Sequence, residues 1–258
     1  MYMKKILGIV LAGAMLTSCG KVEKYSNDYG SANFLNVVPF SPPPPGSPAV
    51  TMRVFEDTLM RTASNLSYRG STGYLAFSPG TKTIQLRSSA DLSTVFAEAI
   101  SQEFAYNKAS TYLVYDTVNN STGRAKIARL NDTLTLPAAG FVKMRFLPLA
   151  KFAPAVDVTL VLTSVTPADS ITFFNMGYIG ENPTQAELDA LSSFRSMPIG
   201  NYALRMKFAG TQTLIAAPLS LSAATLTGTG GSTGISSLYI AGTAKEQPLS
   251  VGIQRHYP

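Results

Sequence analysis

The chain has one cysteine, one histidine and no tryptophan, and only 14% of its 258 residues are charged. A single thiol excludes an internal disulfide, and so few Cys and His exclude the three- or four-ligand sets on which zinc sites draw. No carboxylates recur at the alternating positions of a calcium loop. Glu181, Glu187 and Asp189 come closest, and they read instead as the solvated face and acidic first turn of a short helix. No cluster of Lys and Arg forms the stripe that nucleic acid requires, and no later apolar run reaches the roughly twenty residues of a membrane-spanning helix. No cofactor is expected, and stability has to come from hydrophobic cores.

The cysteine that is present stands at an informative place. Lys4 and Lys5 precede an apolar run from Ile6 to Leu16, and Thr17 and Ser18 then lead into Cys19. This is the order of a bacterial lipoprotein signal, with residues 1–18 removed and Cys19 becoming the lipid-bearing first residue. More than one acyl chain makes such anchoring stable rather than marginal. Gly20, in place of an aspartate, favours the outer membrane, with its surface and periplasmic faces both open. Removal of the signal takes two lysines with it, leaving 19 basic side chains against 15 acidic ones. Residues 19–30 read as a flexible tether rich in Lys, Ser, Asn, Asp and Gly.

Beyond the tether, apolar and polar residues alternate. Val142, Met144 and Phe146 share one face while Lys143 and Arg145 take the other, the pattern of a half-buried strand. Val156 to Leu162 and Tyr202 to Phe208 repeat it, and turn residues separate the runs, so β-sandwich domains are expected. The unit occurs twice. Ser47-Pro48-Ala49-Val50 matches Ala153-Pro154-Ala155-Val156, and the strand before each ends in proline, Leu35 to Pro39 and Met144 to Pro148. Pro79-Gly80 before Ile84 and Leu86 matches Pro198 and Gly200 before Leu204 and Met206. Thr94-Val95-Phe96-Ala97 matches Thr213-Leu214-Ile215-Ala216, and Tyr112-Leu113-Val114 matches Tyr239-Ile240-Ala241. The fold class is all-β, two tandem Ig-like sandwiches over 31–133 and 141–258, joined by a linker at 134–140. Thr184-Gln185-Ala186-Glu187 has capping-box spacing, and Leu188, Leu191 and Phe194 share a face, which predicts a helix over 185–194 in the second domain.

Tyr112 to Thr117, Pro137-Ala138-Ala139-Gly140, Met144 to Pro148 and Ala153-Pro154-Ala155-Val156-Asp157-Val158 together resemble tandem envelope lipoproteins of the domain-of-unknown-function family 4397. The resemblance implies an Ig-like sandwich in the cell envelope and supplies no catalytic residue. The first copy departs from the motif, with Pro42 to Pro45 stretching its turn and Thr51 standing where the motif has aspartate.

Catalytic chemistry has one foothold. Gly230-Gly231-Ser232-Thr233-Gly234 fits a nucleophile elbow, with Glu246 and His256 downstream, but Ile235 to Ile240 reads as a strand where the elbow needs a helix. His256, two residues from the end, reads as a solvated tail residue. The chain is therefore expected to be a non-catalytic, lipid-anchored module that binds a glycan or protein; the alternatives are a structural or assembly subunit, and a hydrolase using Ser232. Tyr68, Tyr74, Tyr178 and Phe194 are the aromatics expected near a binding edge. Thr58, Thr117, Thr133 and Ser170 each sit between an aspartate and an aliphatic residue, the pattern of an O-glycosylation acceptor on exported proteins.

Overall fold

A computed structural model describes residues 29–38, 51–116, 125–151, 153–164, 169–215, 219–227, 234–243 and 247–256. The first half contributes β1 (Gly30–Asn36), β2 (Met52–Glu56), β3 (Leu59–Met60), β4 (Ser71–Phe77), β5 (Gly80–Ser88), β6 (Val95–Phe104), β7 (Ala109–Tyr115) and β8 (Lys126–Asp132). The second contributes β9 (Phe141–Pro148), β10 (Val156–Leu162), β11 (Ser170–Met176), α1 (Gln185–Ser192), β12 (Arg195–Pro198), β13 (Tyr202–Phe208), β14 (Leu219–Leu221), α2 (Ala223–Thr227), β15 (Ile235–Thr243) and β16 (Gln247–His256). Among the described residues four sheets form, ordered β4-β1-β7-β8, β3-β2-β5-β6, β12-β9-β15-β16 and β11-β10-β13-β14. Advancing every strand by eight converts the first two orders into the last two. Even the parallel pairing recurs, β1 with β7 and β9 with β15.

Each half is a sandwich with its own core. Phe34, Met52, Val54, Phe77, Ile84, Leu86, Phe104 and Tyr112 fill the first, where Phe34 stacks on Tyr112 and Phe77 on Phe104 with centroids 5.0 and 4.4 Å apart. Met144, Phe146, Val158, Leu160, Leu204, Met206 and Leu238 fill the second. A third cluster joins the two halves. Leu35, Val37, Leu113, Tyr115 and Leu130 from sheet β4-β1-β7-β8 meet Leu147, Leu149, Tyr239 and Ala241 from sheet β12-β9-β15-β16. These two sheets are therefore covered on both faces. Phe34, Tyr112 and Val114 point into a sandwich while the alternating Leu35, Leu113 and Tyr115 point into the seam, so these strands read as nearly continuous apolar runs.

The seam corrects two expectations. The face of β9 opposite Met144 and Phe146 is covered by the other half, so Arg145 is 1% exposed rather than solvated. The repeat is also registered differently from its most obvious identities. Val37 donates its amide to the carbonyl of Val114 as Leu149 does to Ile240, at 2.8 and 3.1 Å, which makes Leu113 the counterpart of Tyr239. Pairing Tyr112 with Tyr239 is off by one, and a slip of one turns a core residue into a seam residue. Asp157 likewise corresponds to Arg53 rather than Thr51, since Val54 opposite Leu86 matches Val158 opposite Met206.

The inserted helix forms as its capping box dictates. Thr184 caps it, accepting from the Glu187 amide, while the Glu187 carboxylate accepts from the Thr184 amide at 2.7 Å. Such a cap contributes about 1 kcal/mol. Leu188 and Leu191 pack against the seam cluster, which seats the helix over the junction of the two halves.

Candidate functional site

The registers place eight counterpart residues on the two seam faces. Asn33 lies beside Tyr74 and Thr111 on neighbouring strands, and Arg145 lies beside Ser237 and, one residue before β12, Phe194. Asp132 ends β8 opposite Ala109, as His256 ends β16 opposite Ile235. The pairs Asn33/Arg145, Tyr74/Phe194, Thr111/Ser237 and Asp132/His256 thus occupy equivalent places, and four of the residues touch across the seam, Tyr74 with His256 and Asp132 with Arg145.

Five of these side chains close a ring. Arg145 Nε donates to Ser237 Oγ at 2.7 Å, Ser237 Oγ lies 2.7 Å from His256 Nε2, and His256 Nδ1 lies 2.7 Å from Tyr74 Oη. Tyr74 Oη donates to Asp132 Oδ2 at 2.7 Å, and Asp132 Oδ1 returns to Arg145 Nη1 at 2.8 Å. Thr111 also donates to Asp132 Oδ2, at 2.6 Å. The Asp132 and Arg145 atoms are close without being aligned as a hydrogen bond, so the ring closes there by charge. Their side chains are 0% and 1% exposed. The guanidinium lies over Phe194, 4.4 Å from its centroid, and Nη1 reaches the carbonyl of Ser192 at the negative end of α1, at 3.4 Å.

Donor counting fixes the protons. Tyr74 has one hydroxyl proton and gives it to Asp132, so His256 Nδ1 must carry a proton and donate to Tyr74. Ser237 accepts from Arg145, so its own proton goes to His256 Nε2. Neutral His256 completes the ring, whereas the imidazolium would leave the Ser237 proton without an acceptor. Burial, reinforced by the Arg145 charge and opposed by Asp132, pulls His256 down to about 4. Burial also pulls Arg145 below its ordinary value, with Asp132 pulling back, and burial together with the Asp132 charge pushes the Tyr74 phenol far up.

The expectation of a solvated His256 is overturned, since the residue is 1% exposed at the end of a paired strand. Ser237, His256 and Asp132 are residue types of a hydrolase triad, but Ser237 is 0% exposed, Tyr74 separates His256 from Asp132, and Arg145 occupies a lone pair of the serine. In this arrangement the group is a clasp between the halves.

The four aromatics expected near a binding edge, Tyr68, Tyr74, Tyr178 and Phe194, are half-buried along the seam, two toward each end. Tyr74 and Phe194 flank His256 with centroids 5.9 and 5.5 Å away. Tyr178 tilts against Tyr115 at 6.3 Å, and it packs with Tyr68 on the seam cluster. At that second end Lys151 bridges Asp116 and Glu181. Asp189 accepts from Gln185 and Glu187 serves the helix cap. Thr58, Thr133 and Ser170 are exposed, although the aspartate before Thr133 is held in the ring. Cys19, Thr117, Ser232, Glu246 and Pro42 to Pro45 lie outside the described residues. The sequence signals for the ring were slight: an arginine alternating with core residues, and the lone histidine on a face shared with Gly252 and Gln254.

An open surface lies on sheet β11-β10-β13-β14. Between Val156 and Val158 the pairing with β11 shifts register, and Asp157 holds this bulge by accepting from the Asn175 amide at 2.8 Å and the Gly210 amide at 3.1 Å. These hydrogen bonds keep the Asp157 carboxyl below its usual range. Phe173 points into the core and Phe174 emerges 72% exposed. Beside it, Thr159 pairs with Thr172 at 3.0 Å, and Arg205 and Lys207 stand across Thr159 and Asp157.

Residues 37–159 match the family described as Domain of unknown function (DUF4397), a span that runs from the first sandwich into β10 and contains both Asp132 and Arg145. No curated protein matches the chain. Among solved structures it is similar to a carbohydrate-binding module, CBMbc of family CBM26 from Eubacterium rectale Amy13K in complex with maltoheptaose, at 10% identity and a TM-score of 0.25, covering 88% of this chain and 98% of that one. It is similar also to the Bacillus anthracis TIE protein, at 7% identity and a TM-score of 0.23, covering 88% of this chain and 44% of that one. Superpositions this loose carry no argument about fold or ligand.

Proposed function

We propose that this chain, a DUF4397 protein over residues 37–159, is a lipid-anchored, non-catalytic binding module of the bacterial outer membrane, with a glycan as its ligand. The observation that carries the reading is the exposed Phe174 on an open sheet face bearing threonine hydroxyls and two cations. A large exposed aromatic on a rigid sheet loses solvation only when a partner covers it. Sugar rings present C–H faces to aromatics and hydroxyls to the polar groups around them. The absence of catalysis is supported by His256, whose two ring nitrogens are both engaged inside the seam and so do not serve Ser232. Thr58 and Ser170, both exposed and each preceded by an exposed aspartate, are the better-presented O-glycan acceptors.

The test is retention on immobilised envelope polysaccharides. The chain is expected to bind at least one, with Phe174→Ala weakening it tenfold or more. Binding untouched by that change would remove the platform from the account. Labelling of Ser232 by a fluorophosphonate would overturn the non-catalytic reading, and a stoichiometric crosslinked protein with no glycan bound would transfer it to an assembly subunit.

A further inference from the structure

The ends of the first sandwich differ, and the difference bears on how the protein sits on its membrane. Tyr29 is 48% exposed immediately before β1, and Tyr106 is 60% exposed in the turn joining β6 to β7. The two are neighbours. The Asn107 amide donates to the Tyr29 carbonyl at 3.3 Å, and the Ser31 amide to the Lys108 carbonyl at 2.8 Å. Asn107 adopts φ +57, which turns the chain sharply and leaves Tyr106 at the tip, with Lys108 exposed beside it. Two large aromatics open to solvent at a loop tip bring no gain to the fold.

Nine residues separate Cys19 from Tyr29. Even fully extended, that tether spans at most about 35 Å. The sandwich therefore starts close to the bilayer, and the end that carries Tyr29 is the end the tether meets. Tyrosine suits the headgroup region, because its ring is apolar and its hydroxyl wet, and a lysine can extend its stem there while its ammonium meets phosphate.

We propose that Tyr29, Tyr106 and Lys108 form a membrane-contacting tip that seats the first sandwich on the phospholipid surface. It rests on the lipid anchor at Cys19. Strand direction then places the far end of β5, with the turn at 89–92, roughly 27 Å away from the bilayer at the usual strand rise. Leu92, 42% exposed, marks that far end. Thr51, which precedes β2, lies at the same far side, its carbonyl accepting from the Ser89 amide at 2.9 Å.

The lack of tryptophan makes the test direct, since Tyr29→Trp, Tyr106→Trp and Leu92→Trp each create the chain's single tryptophan. The full lipidated chain, its acyl chains verified by intact mass, is placed on phosphatidylethanolamine and phosphatidylglycerol vesicles whose lipids are brominated near the headgroup. Emission at positions 29 and 106 is expected to fall to half or less of its value on unbrominated vesicles, with position 92 unchanged. Equal quenching at all three, or none at 29 and 106 in a chain of acylated mass, would overturn the tip. A mass lacking acyl chains would instead remove the anchor, and with it the premise.

Discussion

Arg145→Met should destabilise the protein by about 3–5 kcal/mol, because breaking a buried ion pair from one side leaves the other charge sealed without its partner. Here that partner is Asp132, 0% exposed, which would keep Thr111 and Tyr74 as donors and lose only the cation. Ser237 would lose the donor that orients its proton toward His256. For a chain of this size the loss corresponds to a fall in Tm of about 10 °C. Asp132→Leu in the same chain removes the stranded carboxylate but also the acceptor of Thr111 and Tyr74, so Arg145→Met/Asp132→Leu should cost less than the sum of the two single changes, a coupling that residues without contact do not show. Urea unfolding of the two single variants and the double one measures it. Additive losses, or a cost under about 1 kcal/mol for Arg145→Met, would mean that the seam is open to water.

Stability should also fall between pH 6.5 and pH 4, and a single residue should account for it. An unfolded histidine takes up its proton near pH 6.5, whereas folded His256 resists protonation down to about 4. Within that window the unfolded chain binds a proton that the folded chain does not, so acid favours unfolding. The contribution of His256 is complete above pH 6.5, declines as the pH falls and is gone below about 4. Its size is at most about 3 kcal/mol by linkage. The carboxyls held low by hydrogen bonds, Asp91, Asp157 and Glu187, lose their contribution only as the pH drops through and below the ordinary carboxylate range. His256→Gln, which leaves no other histidine, should flatten the upper part of the profile while lowering its plateau. A wild-type urea midpoint that stays constant from pH 7 to pH 5 would contradict the assignment.

These two expectations concern the part of the molecule that was least legible in its sequence. Alternation announced the strands, and the Thr184 to Glu187 spacing announced the helix, because both are written in neighbouring residues. The seam is not local. Arg145 and Ser237 are 92 positions apart, and Tyr74 and His256 are 182 apart. The sequence of β9 looks the same whether the face holding Arg145 meets water or another sheet, and only the second sandwich decides which. The repeat itself was visible, yet the identity of Tyr112 with Tyr239 drew the register off by one, since tyrosine serves the core in one copy and the seam in the other. Phe174 gave no signal either, because its exposure depends on a bulge held by Asp157 from the neighbouring strand.

That the two repeats are clasped by a ring with one direction of hydrogen bonding is tested most directly by nuclear magnetic resonance of the ring nitrogens of His256, which in a chain with one histidine gives a single pair of signals. A neutral imidazole with its proton on Nδ1 and a bare Nε2, unchanged from pH 7 to pH 5, is the expected result. A proton on Nε2, or an imidazole that titrates near pH 6.5, would contradict it.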